Sequence, residues 1–300
     1  MNDEMQDPNE FARLLFDRMH ESFQKTDENS FLSSSTKDGK SCSLKNLLPR
    51  IFKGEFAYTT KCLKCCQESE RKEDFMDLLI PIVETCRSSK KKKKKSKAKQ
   101  KLTTVQDCFD QYFKPEMMQG NNQYFCSNCN GKSDAQRSLS FSQMPSVLNV
   151  QLARYAYNSN TGNKTKLMNP VLINRTLNVR TRNKSSVKYV LCAVQNHLGK
   201  SAQSGHYIAE AMDWSTGIWF EYDDESVTLL KEGPSYSFND GADLDKAKGS
   251  SDAYNLFYVK QSCLQESVMS QITVQSSRAE GSIIEKVCSE RFESYENHKK

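Results

Sequence analysis

The chain is 300 residues long, 37% apolar and 27% charged, the balance of a water-exposed globular protein with material for one large core or two small ones. No apolar run approaches the roughly 18–20 residues of a membrane-spanning helix, and the acidic, polar start has no signal-peptide pattern. The net charge of +6 is local, because nine lysines fall within residues 90–101 and leave 34 basic against 37 acidic residues elsewhere, so the chain as a whole is not a basic nucleic-acid binder.

Taken from the start, Asp7, Pro8 and Glu10 read as the N-cap, first turn and capping-box partner of a helix. Phe11, Leu14, Leu15, Met19, Ser22 and Phe23 fall on one side of it, which predicts an apolar face that needs a cover. Residues 24–46 are rich in Ser, Lys and Gly and read as a loop. Residues 47–83 look strand-like. The lysine-rich segment 88–102 reads as a disordered, self-repelling insertion. It is not expected to bind nucleic acid, because no aromatic residue interleaves with its lysines to stack on bases; a nuclear-import signal is the alternative.

Thr104 is placed to cap a second amphipathic helix, with Val105, Cys108, Phe109, Tyr112 and Phe113 on its buried side and an end near Pro115. Residues 121–194 read mainly as strands, with a turn over 158–162. A polar loop (231–252) precedes a last buried strand, AYNLFYV, at 253–259. Residues 261–300 form a polar tail in which Ser282 and Glu285 suit the cap of a short helix.

The cysteines carry the first chemical signal. There are 11, an odd number on a large chain, which points to a reducing, intracellular setting and to metal binding rather than disulfides. Cys62 and Cys65 form one C-x-x-C pair, and Cys126 and Cys129 form another. Two thiolates on a tight turn converge, and two such knuckles complete a tetrahedral S₄ site suited to structural zinc. The wide separation of the pairs leaves open that they are buried thiols, and Cys66 is a possible substitute for Cys65.

The second signal is SGHYIAEAMDWSTGIWFEYDD, residues 204–224. An amphipathic run from His206, a Ser-Thr-Gly turn and a returning Ile-Trp-Phe-Glu-Tyr run predict a β-hairpin. A turn centred on residues 215–217 sets His206 opposite Asp223, within two residues. A carboxylate so placed fixes an imidazole in one tautomer and stabilises its cation, which is the base half of a nucleophilic catalyst.

In this order, QDPNEF, FKGEFAYTTKCLKC, YFCSNC, MPSVLNVQLARYAYNSNTGNKTKL, the His206 segment and AYNLFYV resemble the ubiquitin-specific proteases, papain-like cysteine deubiquitinases. The resemblance spans residues 6–260 and implies an α+β hand. Zinc-tipped antiparallel β fingers and a β palm would be accompanied by only the last part of a helical thumb. It implies a truncated catalytic domain over 1–260, followed by the tail. It also implies ubiquitin and ubiquitin-conjugated proteins as partners, hydrolysis of the bond at ubiquitin's C-terminal glycine as the activity, and no membrane.

By that resemblance His206 matches the general base and Asp223 the residue that orients it. Asp224 matches a position that replaces Asp223 or supports the oxyanion in some members. His197 matches a recurrent histidine that is not the base. Residues 199–205 match a loop over the channel for ubiquitin's tail. The family's nucleophile lies in a Gly-Asn-x-Cys-type box upstream of the QDPNEF-like region, so the expectation is a chain without a nucleophile and inactive as given. Cys42 is not expected to replace it, and Cys108 and Cys192 read as core. The alternatives are a ubiquitin-binding pseudo-enzyme and a zinc-ribbon scaffold with a basic tract.

Overall fold

The computed structural model describes residues 7–25, 46–83, 102–158, 163–182, 185–201, 204–214, 216–238 and 247–264. The lysine run at 90–101, Cys42, the turn at 159–162 and the expected helix near 282 lie outside the described residues. After the last long strand, Ala253–Lys260, the chain enters one helical turn at 261–264. None of the described helices is long and apolar enough to cross a membrane.

Two sheets make the frame. The larger has eight strands and is antiparallel except at one edge. Ser226–Leu230, Trp219–Asp223, His206–Met212, Ser186–Leu198, Ala253–Lys260, Val147–Ala153 and Leu78–Pro81 follow one another across it, and Thr176–Arg180 pairs on the side with Ser186–Leu198. Only Leu78–Pro81 runs parallel to its neighbour. One face of the middle strands is apolar, with Leu148, Val150, Leu152, Leu256 and Tyr258 fully covered, whereas Asn149, Gln151 and Asn255 fall on the other, because side chains alternate along a strand. This is the palm.

The smaller sheet has four strands, in the order Glu68–Phe75, Gly54–Cys62, Ala135–Gln143 and Glu116–Met118. Its edge strand, ESERKEDF, is exposed almost throughout, and charges along an edge discourage pairing with another chain. A separate two-stranded ribbon, Tyr124–Cys126 with Gly131–Ser133, stands near its tip. These strands are the fingers. Their base is an aromatic cluster in which Phe56 stacks on Phe75 at 4.0 Å and Phe113 lies 4.9 Å from Phe141. The helix Val105–Tyr112 seats that cluster. It is capped by reciprocal bonds between Thr104 and Asp107 and buries Val105, Cys108 and Phe109, as its sequence predicts.

The first helix, α1 (Pro8–Lys25), begins where its cap signal places it, with Asn9 N–H donating to Asp7 Oδ1 at 2.8 Å. Its docked face differs from the expected one. Asn9 is buried and Phe16 stacks on Phe52 at 4.6 Å, whereas Phe11, Leu14 and Leu15 are 62%, 55% and 43% exposed. The helix is apolar on two sides, and the side that packs is the one that meets Phe52. Phe52 itself belongs to a short helix, α2 (Leu47–Phe52), in a stretch that reads as strand-like. Pro49 falls in its first turn, where its missing N–H costs nothing.

Two buried cations join the palm to its flanking hairpin, Tyr155–Asn158 with Asn163–Lys166. Arg154 is fully covered and donates to the carbonyls of Ala253, Leu167, Asn169 and Ser250. Burial lowers its pKa to about 10. The side chain of Lys166, the second, is 0% exposed.

Candidate functional site

The hairpin forms as its sequence predicts. Met212 pairs with Trp219 and Ala209 with Tyr222. Gly217 takes the left-handed backbone of the turn at φ 72° and donates to Asp213 O at 2.7 Å. Continued outward, this register sets Asp223 against Ile208, two residues beyond His206. His206 and Ile208 share a face because side chains alternate along a strand, so His206 and Asp223 are diagonal neighbours rather than direct partners. Diagonal spacing is within reach of an imidazole. His206 Nε2 lies 2.5 Å from Asp223 Oδ1.

This contact leaves Nδ1 as the ring nitrogen free of Asp223. The pair is open to solvent, with side chains 43% and 50% exposed. The hydrogen bond to Asp223 raises the His206 pKa above the usual imidazole value; desolvation opposes this, and the charges of Asp223 and then Asp224 add to it. Asp224 occupies a two-residue turn closed by the Asp223–Ser226 pair and has φ 49°. Aspartate tolerates this left-handed backbone better than most residues. His206, Asp223 and Asp224 present atoms within 4.8 Å of one another.

Behind this pair lies a polar layer that the sequence did not single out. Glu210, on the same face as His206, is 1% exposed and accepts from Ser235 N–H at 2.7 Å and from Asn196 Nδ2 at 3.3 Å. Burial raises its pKa despite these bonds. A carboxyl whose folded pKa is raised favours folding below its unfolded pKa and loses that contribution as pH rises through the folded value. Glu210→Gln keeps an acceptor for Ser235 and should therefore gain stability over wild type at pH 7 but not at pH 4. Urea unfolding at the two pH values measures it, and an equal effect at both would reject the burial argument.

His197 is fully buried, and its Nδ1 sits 3.0 Å from Tyr155 Oη. Its Nε2 has no hydrogen-bond partner. Burial first, then the nearby Lys166 charge, lowers its pKa, so the ring is held neutral. It faces Tyr207 across the strands, with ring centroids 4.7 Å apart. A side chain at Gly205 would strike His197 Nε2 at 2.3 Å, which is why the residue before His206 is glycine. His197 is thus a core histidine.

The two C-x-x-C pairs meet at the finger tip although 60 residues separate Cys65 from Cys126 in sequence. Cys62 Sγ lies 3.9 Å from Cys129 Sγ, Cys65 Sγ lies 3.6 Å from Cys126 Sγ, and all four sulfurs are within 4.8 Å of one another. Thiolates 2.3 Å from a tetrahedral zinc stand about 3.8 Å apart, so this group can hold such an ion. The residue after each pair, Cys66 and Asn130, has positive φ, 61° and 48°. Each knuckle is therefore closed by a left-handed residue, a requirement not visible in the C-x-x-C spacing. Cys66 is exposed and serves this turn; Cys65, not Cys66, joins the cluster.

The remaining described cysteines lie elsewhere. Cys108 is in the core behind the second amphipathic helix, Cys192 donates to Phe257 O from the palm interior, and Cys263 follows the last strand. A cavity of about 670 Å³ opens between α1, the finger base and the Leu78–Pro81 edge. Arg13 pairs with Asp77 at its wall. Two buried amide atoms on its lining residues, Asn9 Nδ2 and Asn149 Oδ1, have no hydrogen-bond partner.

A family model described as ubiquitin carboxyl-terminal hydrolase matches residues 1–258. Ubiquitin carboxyl-terminal hydrolase 48 of Gallus gallus is 31% identical over 231 residues, which is 76% of this chain and 20% of that protein. Ubiquitin carboxyl-terminal hydrolase 9 of Saccharomyces cerevisiae is 30% identical over 255 residues, 84% of this chain and 31% of that protein. The chain thus spans a fifth to a third of the length of these relatives. Among solved structures, the SAGA Ubp8/Sgf11/Sus1/Sgf73 DUB module bound to ubiquitin aldehyde matches with a TM-score of 0.60 at 23% identity, over 86% of this chain and 50% of that one. This last likeness shows the shared fold.

Proposed function

Because the chain belongs to the ubiquitin carboxyl-terminal hydrolase family, whose function is deubiquitination, we propose that it carries the base half of a thiol-dependent deubiquitinase and binds ubiquitin. The observation that supports this most is the 2.5 Å contact between His206 Nε2 and Asp223 Oδ1. With Nε2 engaged, Nδ1 is the nitrogen that would take a thiol's proton and later return it to the leaving amine. Asp223 would orient the ring and stabilise the imidazolium. Asp224 would add negative potential beside it. Zinc on Cys62, Cys65, Cys126 and Cys129 would hold the finger tip, with no open position for chemistry.

By itself the 300-residue chain is proposed to be inactive, because each described thiol already has another place. Two measurements test the reading. In an NMR titration of the imidazoles, His206 should titrate above the usual value of about 6.5, and Asp223→Asn should bring it back. A folded Asp223→Asn chain with an unmoved midpoint would reject the pairing. Since the folded pKa is raised, the pair's contribution to stability is full below the ordinary imidazole pKa and fades as pH rises through the raised one. Ubiquitin titrated against the chain at moderate salt should give saturable binding without turnover, and absence of binding would remove the proposed partner.

A further inference from the structure

We propose that Lys166 and Asp252 are positioning residues for His206, clamping the strand end that pairs with it so that the imidazole stays within reach of Asp223. The inference rests on the reading of His206 as the general base.

Lys166 is the only buried lysine among the described residues, and its side chain is 0% exposed. An ammonium has three N–H donors, and all three are used. Nζ donates to His197 O at 2.6 Å, to Gly199 O at 2.8 Å and to Asp252 Oδ1 at 2.7 Å. The two carbonyls flank Leu198, and Leu198 is the residue directly opposite His206 in the palm sheet. Lys166 therefore grips both sides of the backbone position against which His206 is registered.

Asp252 holds the same strand end a second time. Its backbone carbonyl accepts from His197 N–H at 2.8 Å, while its carboxylate accepts from Lys166. The loop that begins here is also closed at its base. A side chain at Gly199, where φ is 149°, would meet Ser204 O at 2.8 Å and Gly205 Cα at 3.0 Å. Thr165, next to Lys166, bridges to Ser201 across the same loop.

A surface ion pair contributes little, but a buried one that loses a partner leaves an uncompensated charge. Any buried ammonium needs oxygens around it. Here two of the three are carbonyls of the strand end that faces His206, so the charge sets the position of that strand end as well as stability. Residues 206–208 pair with Ser186–Leu198, while pairing to Trp219–Asp223 begins only at Ala209, so loosening that strand end frees His206 to move relative to Asp223.

The chain has four histidines, so its imidazole signals can be resolved in the full-length protein. Three variants are compared with wild type: Lys166→Met, Asp252→Asn and Asp223→Asn. In Lys166→Met, amide hydrogen exchange over 197–206 should accelerate by about tenfold or more. Its His206 titration midpoint should fall toward the ordinary imidazole value, and the Nε2-bonded tautomer should lose population. A folded Lys166→Met with the wild-type midpoint and tautomer overturns the proposal.

Should Lys166→Met fail to fold, Asp252→Asn decides. It keeps the backbone bond to His197 and an oxygen for Lys166 but removes the negative charge. A smaller change of the same sign supports the clamp, and an unchanged His206 overturns it. Asp223→Asn separates this proposal from the reading beneath it. An unmoved midpoint in that variant rejects His206–Asp223 pairing itself, while the exchange rates over 197–206 still report on the clamp.

Discussion

Cys126→Ser should abolish metal binding and release the finger tip. Wild-type chain purified without chelator is expected to hold about one zinc, by a site whose donors are four converging sulfurs with edges of 3.6 and 3.9 Å. Structural zinc contributes on the order of 10 kcal/mol to the folding of the segment it ties, more than the short ribbon of Tyr124–Cys126 and Gly131–Ser133 gains from pairing, since an isolated two-stranded ribbon is marginal in water. The variant should lose the ribbon's amide protection and leave the palm core folded, because that core lies in a different sheet. Cys66→Ser is the control and should keep the metal, as Cys66 is exposed at the turn outside the cluster. Unchanged metal content in Cys126→Ser, or loss in Cys66→Ser, would reject the assignment.

Ubiquitin carrying a C-terminal electrophile should leave no adduct on the chain. A base without a thiol beside it deprotonates nothing, and nucleophilic catalysis needs both within hydrogen-bond reach. Among the described residues, four cysteines are gathered at the finger tip, Cys66 is at the adjoining turn, Cys108 and Cys192 are in the interior, and Cys263 follows the final strand. Burial pushes the Cys192 thiol up to about 12 and raises that of Cys108, so neither is a nucleophile near neutral pH. The outcome is all or none by intact mass. An adduct that disappears in His206→Ala would overturn the proposed inactivity of this chain.

Where physics is local, the residues were sufficient. The start of α1 was legible because a cap is decided by neighbours in sequence, and Asp7 caps Asn9 as expected. The helix at Val105–Tyr112 was legible for the same reason, through Thr104 and Asp107. The packed face of α1 was not, because a helix with apolar residues on two sides has no unique buried side until Phe52 arrives. Helix α2 was missed because six residues carry too little period to separate helix from strand.

The site divides in the same way. Glycine before His206, the Ser-Thr-Gly turn and the two C-x-x-C pairs announced a gripped imidazole and a tetrathiolate group, since turn chemistry and thiol spacing act over a few residues. The diagonal offset of His206 and Asp223 depended on where the turn closed. Glu210 and Lys166 carried no signal of their role. A lysine in NKTK reads as solvated, and only a fold that brings residues 197, 199 and 252 around its ammonium makes it a buried clamp.

The sequence by itself determined most of the elements, the hairpin that carries His206 and the two C-x-x-C turns, because each depends on short-range backbone and side-chain chemistry. The tertiary structure alone decided which helix face packs, which strand residues stand diagonally and which charges are buried. Those outcomes come from contacts between segments distant in the chain, and a buried charge exists only once its partners have been assembled around it.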